Sequence, residues 1–230
     1  MIRSDSQRLK TIFFDFGKVI RETSWRRVAR RLHPCLPGLD KTALLRVVFP
    51  EFLDYEAGIL TSRAFWSHVA TGLDLRPPEK YRGVLSSAYL DVLAGYNMKM
   101  LSFIRALAGE GKWQLAILSN SAPELAQYIE NESIVREYFS AYFFSCHAGV
   151  RKPDFRIYLS AARSLGREPR ECLFIDDQMP NVEAASSLGF LTIHYTGFED
   201  FLHRFETIFS ASSQSSTSYP WVWPRCSKRP

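Results

Sequence analysis

Several features that define whole classes of protein are missing from this sequence. Its 230 residues contain four cysteines with no CxxC pair among them, so no zinc-binding pattern is present. No apolar run approaches the roughly 20 residues that a membrane-spanning helix needs. The first seven residues also lack the apolar region of a signal peptide. We therefore expect a cytoplasmic protein with reduced cysteines and no membrane partner.

The charge balance is modest and the sequence has no repeats. Lys and Arg (29) exceed Asp and Glu (24) by five, which mildly favours anionic ligands. The basic residues do not interleave with aromatic residues on one predicted face, so no nucleic-acid partner is expected. No internal repeat of solenoid length is visible. With 46% hydrophobic residues the chain can bury a substantial core, as a monomer or a homodimer.

Alternating strands and helices predict an α/β fold. Residues 10–20 contain a buried strand that ends at Asp15. Further short strands are predicted at 115–118, 139–144, 172–175 and 191–195. Helical patterns separate these strands, which predicts parallel pairing through right-handed crossovers. The expected result is a Rossmann-like three-layer core with a mostly parallel five-stranded sheet, formed by residues 8–20 and 97–209.

Residues 21–96 interrupt this pattern as an insertion that we expect to be entirely helical. Prolines and glycines divide it into short amphipathic helices, one ending at Pro50 and the next at Gly58. Four aromatic residues with helical spacing either form the insertion's own core or line a ligand pocket, namely Tyr55, Phe65, Trp66 and Tyr89. Beyond the core, the serine-rich residues 210–230 have the composition of a disordered tail, with docking on a partner as the alternative.

Polar residues follow the predicted strands at one edge of the sheet. They are Asp15, Ser119, Lys152, Asp176 and Asp177. Because open α/β sheets bind ligands at the carboxyl ends of their strands, we expect these side chains to meet in one crevice. Three converging carboxylates repel one another unless a cation holds them, and an all-oxygen ligand set selects Mg²⁺. Asp15, Asp176 and Asp177 are therefore candidate magnesium ligands.

The same set supplies the parts of a phosphoryl-transfer site. A carboxylate such as Asp15 can attack a phosphoryl group and form an aspartyl-phosphate, which water then hydrolyses. Lys152 can orient Asp15 and neutralise phosphate charge, while Ser119 and the backbone N–H groups beside it can bind phosphate oxygens. Each piece alone has an ordinary explanation as a turn, a helix start or a helix cap. Their occurrence in this order at successive strand ends favours the site.

Four motifs carry a resemblance to a known family. They are residues 14–20 (FDFGKVI), 118–120 (LSN), 149–154 (GVRKPD) and 174–177 (FIDD) with Asn181. Together they resemble the haloacid dehalogenase superfamily of hydrolases, on the branch with a small helical cap inserted after the first motif. The resemblance spans about residues 11–209. It implies a Rossmann-like core, a magnesium ion, and a cap at residues 21–96 that closes over the site and selects substrate.

The resemblance also implies a function and a role for each site residue. Most members are phosphatases of small metabolites, so a magnesium-dependent phosphatase acting on a small phosphorylated metabolite, such as a sugar phosphate, is expected. The implied catalytic residues are Asp15, Ser119 and Lys152. The implied substrate-binding residues are Ser119, Asn120 and Lys152. The implied metal ligands are Asp15, the backbone carbonyl of Gly17, Asp176 and Asp177.

Two positions depart from the family's phosphatase pattern. The usual motif has a second aspartate two residues after the nucleophile, where it serves as general acid and base, and here that residue is Gly17. Its absence removes proton donation to the leaving group, an effect worth about 10²–10⁴-fold. Other members with this D-x-G motif resemble sugar-phosphate phosphatases. Lys18 stands where small or amide residues are common, and it either adds positive charge beside the phosphate or points to solvent.

Two rival hypotheses remain at this point. The chain could be a carbon–halogen or carbon–phosphorus hydrolase of the same superfamily. The dehalogenases use no magnesium, so the pair Asp176 and Asp177 argues against them, and the carbon–phosphorus branch needs an imine-forming cap lysine, for which the insertion offers Lys41 and Lys80. Alternatively, the chain could be a catalytically weakened binding or regulatory protein, with Gly17 as the sign of lost activity.

Overall fold

A five-stranded parallel sheet forms the centre of the structure, a computed structural model that describes residues 8–210. The strands are β1 (Thr11–Phe14), β2 (Arg21–Thr23), β3 (Leu93–Tyr96), β4 (Gln114–Ser119), β5 (Ala141–Phe144), β6 (Cys172–Asp176) and β7 (Leu191–His194). The large sheet has the order β5-β4-β1-β6-β7, and every neighbouring pair is parallel. The predicted α/β fold with a five-stranded parallel sheet is confirmed.

Eleven α-helices surround and connect these strands in the described part of the chain. They are α1 (Trp25–Leu32), α2 (Lys41–Glu56), α3 (Ser62–Gly72), α4 (Arg82–Tyr89), α5 (Met98–Glu110), α6 (Pro123–Asn131), α7 (Ser133–Tyr138), α8 (Ser145–Ala148), α9 (Phe155–Ser164), α10 (Met179–Ser187) and α11 (Phe198–Ser210). Short 3₁₀ turns lie at Pro78–Lys80, Leu90–Val92 and Pro169–Glu171. The serine-rich segment predicted to be a disordered tail lies, beyond Ser210, outside the described residues.

Strand β1 shows why the core has three layers. Successive side chains of a strand point to opposite faces of the sheet. Ile12 and Phe14 accordingly belong to one apolar cluster, with Phe103 and Phe201 of the helices α5 and α11. Phe13 belongs to the other cluster, which includes residues of α9 and α10. A strand buried on both faces needs an unbroken apolar run, and that run is what made β1 predictable.

The insertion differs from its predicted form at its two ends. Strands β2 and β3 pair as a two-stranded antiparallel sheet at the points where the chain leaves and re-enters the core. The sequence predicted helices alone in residues 21–96, so these two strands are a correction. Strands of three and four residues are too short to establish an alternating pattern. Between them, the segment contains α1 to α4 and two 3₁₀ turns.

Helix α2 also differs from its prediction. Pro50 was expected to end one helix before another began, but α2 runs through it for 16 residues. Val48 and Phe52 are buried on either side of the proline, so packing continues along one helix face. Proline inside a helix has no N–H to donate and its ring crowds the preceding turn. Tertiary burial has therefore overridden a local helix-breaking signal.

The turn after α2 brings the insertion against the core. A Cβ atom at Gly58 would lie 2.2 Å from the carbonyl oxygen of Cys146, and Gly58 has a φ of +72°. Both the left-handed backbone and the close approach require glycine. In the same region the Ser145 hydroxyl donates to the Glu56 carbonyl over 2.6 Å. The end of α2 is thus fixed against α8 and the loop that carries the GVRKPD motif.

We expect Pro50→Ala to raise the free energy of unfolding by about 1–3 kcal/mol, because alanine restores an N–H donor inside α2 and removes the ring's steric conflict. Urea unfolding monitored by circular dichroism measures the change. Pro78→Ala is the matched control, since Pro78 is the first residue of a 3₁₀ turn and its missing N–H has no partner to satisfy there. An equal gain from both variants would contradict the explanation.

Candidate active site

A buried lysine ties the predicted site residues together. The Lys152 ammonium donates to Asp15 Oδ1 over 2.8 Å, to Asp176 Oδ2 over 2.6 Å and to the carbonyl of Leu118 over 2.9 Å. These three bonds use all the donors of the ammonium group. Lys152 is 2% exposed and Asp176 is fully buried, so this is an ion-pair network inside the protein. One cation therefore links three neighbouring strands at their carboxyl ends.

The register of the sheet explains why these residues meet. Phe14 of β1 is level with Ile117 of β4 and Ile175 of β6. The next residues along β1 and β6 are Asp15 and Asp176, which therefore leave the sheet side by side. The Asp15 N–H donates to the Ile175 carbonyl over 2.9 Å and extends the ladder by one bond. The apolar strands thus aim both carboxylates at the same point.

Asp176 is held by its own helix start as well as by Lys152. The backbone N–H of Gln178 donates to Asp176 Oδ1 over 2.7 Å, and the Asn181 amide lies 3.1 Å from both carboxylate oxygens. Asn181 is itself buried, at 3% exposed. These neutral donors satisfy the hydrogen-bonding capacity of the buried carboxylate. They explain the position of Asn181 in the fourth sequence motif.

A third carboxylate completes an acidic cluster. Carboxylate oxygens of Asp15, Asp176 and Asp177 all lie within 4.8 Å of one another. Lys18 forms an ion pair with Asp177, at 3.0 Å, and its side chain is 59% exposed. Lys18 thus lies beside the acidic cluster while most of its side chain remains exposed to solvent. Two lysines face three carboxylates, so full ionisation of the cluster leaves one negative charge unmatched. This oxygen-rich set suits a hard divalent cation.

The buried charges shift one another's protonation. Burial raises the pKa of Asp15 to about 7, an effect that Lys152 opposes and that Asp176 and Asp177 reinforce. Burial lowers the pKa of Lys152, but its two carboxylate partners outweigh this and leave the pKa above its usual value. Lys152 is therefore firmly cationic. Asp15 needs further positive charge to be fully ionised at neutral pH, as a nucleophile must be.

Ser119 and Asn120 lie where the sequence predicted them, at the end of β4. Ser119 is 3% exposed and its hydroxyl oxygen accepts from the Ser121 hydroxyl over 3.2 Å. The Asn120 side chain accepts from the Lys152 N–H over 2.8 Å and donates to the Lys152 carbonyl over 3.0 Å. Asn120 thus fixes the backbone of the catalytic-lysine candidate. Because the Asn120 side-chain amide is engaged in these two bonds, the Asn120 backbone N–H is the group left for the predicted contact with substrate.

These groups open into one cavity of about 360 Å³ between the sheet edge and the insertion. Asp15, Ser119, Asn120, Lys152 and Asp177 line its polar end, beside Gly17 and Lys18. The insertion contributes four aromatic residues to its lining, Trp25, Phe49, Phe52 and Tyr89. A cavity of this size accommodates a small organic ligand.

Two contacts that the sequence did not predict join the insertion to the core. Glu56, at the end of α2, accepts two hydrogen bonds of 2.7 and 3.0 Å from the Arg151 guanidinium. Arg151 is the residue immediately before Lys152. Burial raises the pKa of Glu56, and Arg151 opposes the rise. Farther from the nucleophile candidate, Glu124 of α6 accepts from the Trp66 indole over 2.9 Å and from the Tyr55 hydroxyl. The partners lie 58 to 95 residues apart, so no local pattern could have revealed them.

The fold and the acidic edge define an α/β protein with its candidate functional groups at the carboxyl ends of parallel strands. A family model for haloacid dehalogenase-like hydrolases matches residues 9–189. The chain therefore belongs to the haloacid dehalogenase-like hydrolases. The resemblance in its four motifs is confirmed, as is the expectation of a hydrolase of this family.

Curated relatives connect the chain to phosphatases. It is 46% identical over 192 residues to a chloroplastic flavin mononucleotide hydrolase of Arabidopsis thaliana, covering 81% of this chain and 72% of that protein. It is 31% identical over 100 residues to a sesquiterpene phosphatase of Aspergillus oryzae, covering 44% of this chain and 50% of that protein. Both relatives are named for reactions on phosphate esters of an organic group.

Solved structures share the fold at lower identity. A haloacid dehalogenase family enzyme of Bacteroides thetaiotaomicron superposes with a TM-score of 0.71 at 22% identity, covering 86% of this chain and 98% of that chain. The same enzyme has been crystallised with magnesium and inorganic phosphate. An L-2-haloacid dehalogenase of Xanthobacter autotrophicus superposes with a TM-score of 0.60 at 22% identity, covering 86% and 83% of the two chains. The fold is thus common to enzymes of different chemistry.

Within residues 8–210, none of the helices combines the length and the apolar character needed to cross a membrane. The Arabidopsis relative is named as a chloroplastic protein. The predicted cytoplasmic location therefore stays a prediction.

Removing the central cation should destabilise the protein more than removing its exposed neighbour. We expect Lys152→Met to lower the free energy of unfolding by about 3–5 kcal/mol, because Asp15 and Asp176 then share a buried site with no cation. Lys18→Met is the matched control, and its loss should be smaller, about 1 kcal/mol, because the Lys18 side chain is 59% exposed although that of Asp177 is 13% exposed. Urea unfolding in the presence of a chelator measures both. Similar losses would disprove the central position of Lys152.

Proposed function

We propose that this chain is a magnesium-dependent phosphatase that hydrolyses a small phosphate monoester through an aspartyl-phosphate on Asp15. One observation carries the proposal: Asp15 lies against the ammonium of Lys152 and within 4.8 Å, oxygen to oxygen, of two further aspartates. That set combines a nucleophile, a fixed cation and a hard-metal ligand group in one cavity. Phosphoryl transfer needs all three, since its barrier is lowered chiefly by positioning and by charge neutralisation.

The donor set fits magnesium. Asp15, Asp176, Asp177 and the Gly17 carbonyl would hold the ion, because hard divalent cations prefer oxygen ligands of this kind. The unmatched negative charge of the cluster points the same way. When bound, magnesium supplies positive charge that screens the repulsion between the attacking carboxylate and the phosphate.

The protein's own residues supply the remaining steps. Lys152 holds Asp15 Oδ1, which orients the second carboxylate oxygen for attack on phosphorus. The bond from phosphorus to the ester oxygen then breaks, its electron pair stays on that oxygen, and the resulting alkoxide takes a proton from solvent water to leave as the alcohol, since Gly17 supplies no acid. The Ser119 hydroxyl and the backbone N–H of Asn120 bind the phosphate oxygens during transfer. Water then hydrolyses the aspartyl-phosphate, which regenerates Asp15 and releases inorganic phosphate.

Residues 21–96 are proposed as the cap of this enzyme, with a small antiparallel sheet, β2 and β3, at its base. Its ion pair from Glu56 to Arg151 acts directly beside Lys152, which couples the position of the insertion to that of the catalytic lysine. The flavin mononucleotide hydrolase relative makes flavin mononucleotide the first substrate to test. A sugar phosphate, as the D-x-G motif suggests, is the second.

The alternative reactions have less support from this chain. The dehalogenase relative shares the fold, but the cluster of three carboxylates matches a metal-dependent reaction better than a metal-free one. An imine-forming lysine of the insertion should face the nucleophile. Lys41 and Lys80 are both exposed, and neither lines the cavity. A binding protein without catalysis would have no need for Asp15 to be held by a buried lysine beside two further carboxylates.

The first test is release of phosphate from an activated aryl phosphate. Wild type should be active with magnesium and inactive with a chelator, and Asp15→Asn should lose at least about 10³-fold, because the amide is no nucleophile. The aryl leaving group needs little protonation, so the missing acid at Gly17 does not limit the assay. Asp54→Asn, on the exposed side of α2, should retain wild-type activity. A folded wild type that releases no phosphate would refute the proposal.

Gly17 gives a second test, on the leaving group. A Cβ atom there would lie 3.5 Å from Thr23 Cγ2, an ordinary contact, so the backbone at this position accepts a side chain. We expect Gly17→Asp to raise kcat for alkyl phosphates by up to about 10²-fold by supplying a proton to the alcohol, with little change for aryl phosphates. Gly17→Ala controls for the added Cβ. No gain with alkyl substrates would mean that another group already donates this proton.

A further inference from the structure

The candidate cavity has two chemically different ends. Its polar end holds the groups assigned to phosphate and metal. Its other end is an aromatic wall, which we define as Trp25, Phe49, Phe52 and Tyr89, all from the insertion. A phosphate monoester has a phosphate and an alcohol part. With the phosphate at Asp15, the alcohol part is what contacts the wall.

The wall is a packed unit, not a chance grouping of rings. The Trp25 ring lies 5.5 Å from Tyr89, with the planes 33° apart, and 5.3 Å from Phe52, nearly perpendicular to it. Phe49 packs edge-on against Phe52 at 6.0 Å. Phe52 and Tyr89 are buried and hold the other two rings in place. Such tilted and edge-to-face pairs are favourable ring geometries.

Core packing accounts for Phe52 and Tyr89 but not for Phe49. The Phe49 side chain is 47% exposed while lining the cavity, and Trp25 is half-buried. Both rings therefore keep apolar surface that the packing of the fold does not bury. Leu53, one turn later on α2, is similarly exposed at 54% but lies outside the cavity lining. Phe49 is therefore an exposed apolar side chain that lines the cavity, whereas Leu53 is an exposed apolar side chain outside it.

Besides its aromatic and aliphatic residues, the insertion contributes the polar side chains of Thr23 and Glu56 to the lining. Glu56 is engaged by Arg151, so its charge is already neutralised. Val92 and Leu93 add further apolar surface beside the wall. An alcohol part rich in hydroxyl groups would lose its water against this wall and find few polar partners on the insertion, which costs binding energy. A flat apolar ring would lose little and gain stacking contacts.

We propose that the aromatic wall selects phosphate monoesters whose alcohol part carries a flat aromatic ring system, and that Trp25 and Phe49 determine this specificity. The proposal rests on the phosphatase function proposed above, since it takes the phosphate to sit at Asp15. It favours ring-bearing esters over sugar phosphates. It also favours flat rings over flexible apolar chains, because a flexible chain loses more conformational entropy when it binds to a rigid wall.

A matched pair of substrates isolates the ring. Flavin mononucleotide and ribitol 5-phosphate have the same primary phosphate ester on the same five-carbon chain, and a hydroxyl group of the second stands where the first has the isoalloxazine ring. Wild type should favour the flavin ester in kcat/KM by at least about tenfold. In Phe49→Ala the ratio of the two kcat/KM values should fall by about 5- to 50-fold, the range expected for one lost stacking contact. Leu53→Ala should leave the ratio at its wild-type value.

The results that would overturn the proposal are equally specific. Equal kcat/KM values for the two esters in wild type would overturn it, as would a ratio unchanged by Phe49→Ala. Greater efficiency with a terpenyl phosphate than with flavin mononucleotide would replace the flat ring with a flexible chain as the selected group.

A binding measurement separates this proposal from the proposed function. Riboflavin has the ring and the ribityl chain but no phosphate, so its binding needs no catalysis. Quenching of its fluorescence should report binding to wild type and to Asp15→Asn, and binding to Phe49→Ala should be at least about fivefold weaker. If no ester is hydrolysed but riboflavin binds in this pattern, the phosphatase function fails and the aromatic wall stands. If esters are hydrolysed and riboflavin does not bind wild type, the wall proposal fails alone.

Discussion

The charge balance around Lys152 is the constraint on which the carboxyl edge of the sheet depends. A buried ammonium is costly unless it is paired, and here it is paired with Asp15 and Asp176 at 2.8 and 2.6 Å. The same bonds join the acidic ends of β1 and β6, which the backbone ladder already places side by side, and the bond to Leu118 adds β4. The network therefore positions the nucleophile candidate, and its ammonium group also reduces the repulsion among the clustered carboxylates. Its remaining negative charge is the physical reason to expect a divalent cation at this site.

Much of this arrangement could be predicted from the sequence, because its causes are local. A buried parallel strand needs a continuous apolar run, so the end of β1 and the position of Asp15 were visible in the residue pattern. The topology of βα units then brings Ser119, Lys152 and the two acidic residues of the fourth motif to the same edge. The structure places all of them there. Position follows from topology, whereas the chemical role of each group still depends on the assays.

The features that the sequence did not reveal depend on partners far along the chain. Strands β2 and β3 pair across nearly the whole insertion, and each is too short to have a pattern of its own. Pro50 indicates a helix end locally, yet burial of Val48 and Phe52 carries α2 through it. The ion pair between Glu56 and Arg151 spans 95 residues. Such contacts are set by how the insertion packs on the core, which residue periodicity does not determine.

Gly17 and the aromatic wall bear on the same part of the substrate. The missing aspartate makes departure of an alkoxide harder, because no acid at that position donates a proton to it. Binding energy from a remote, non-reacting group can offset such a deficit when it is realised in the transition state. A ring held by Trp25 and Phe49 would fix the ester bond in line with Asp15, so that less of the barrier is spent on orientation. On this argument a ring-bearing ester gains in kcat as well as in KM, whereas a ring-free ester of the same alcohol chain has neither the acid nor the anchor.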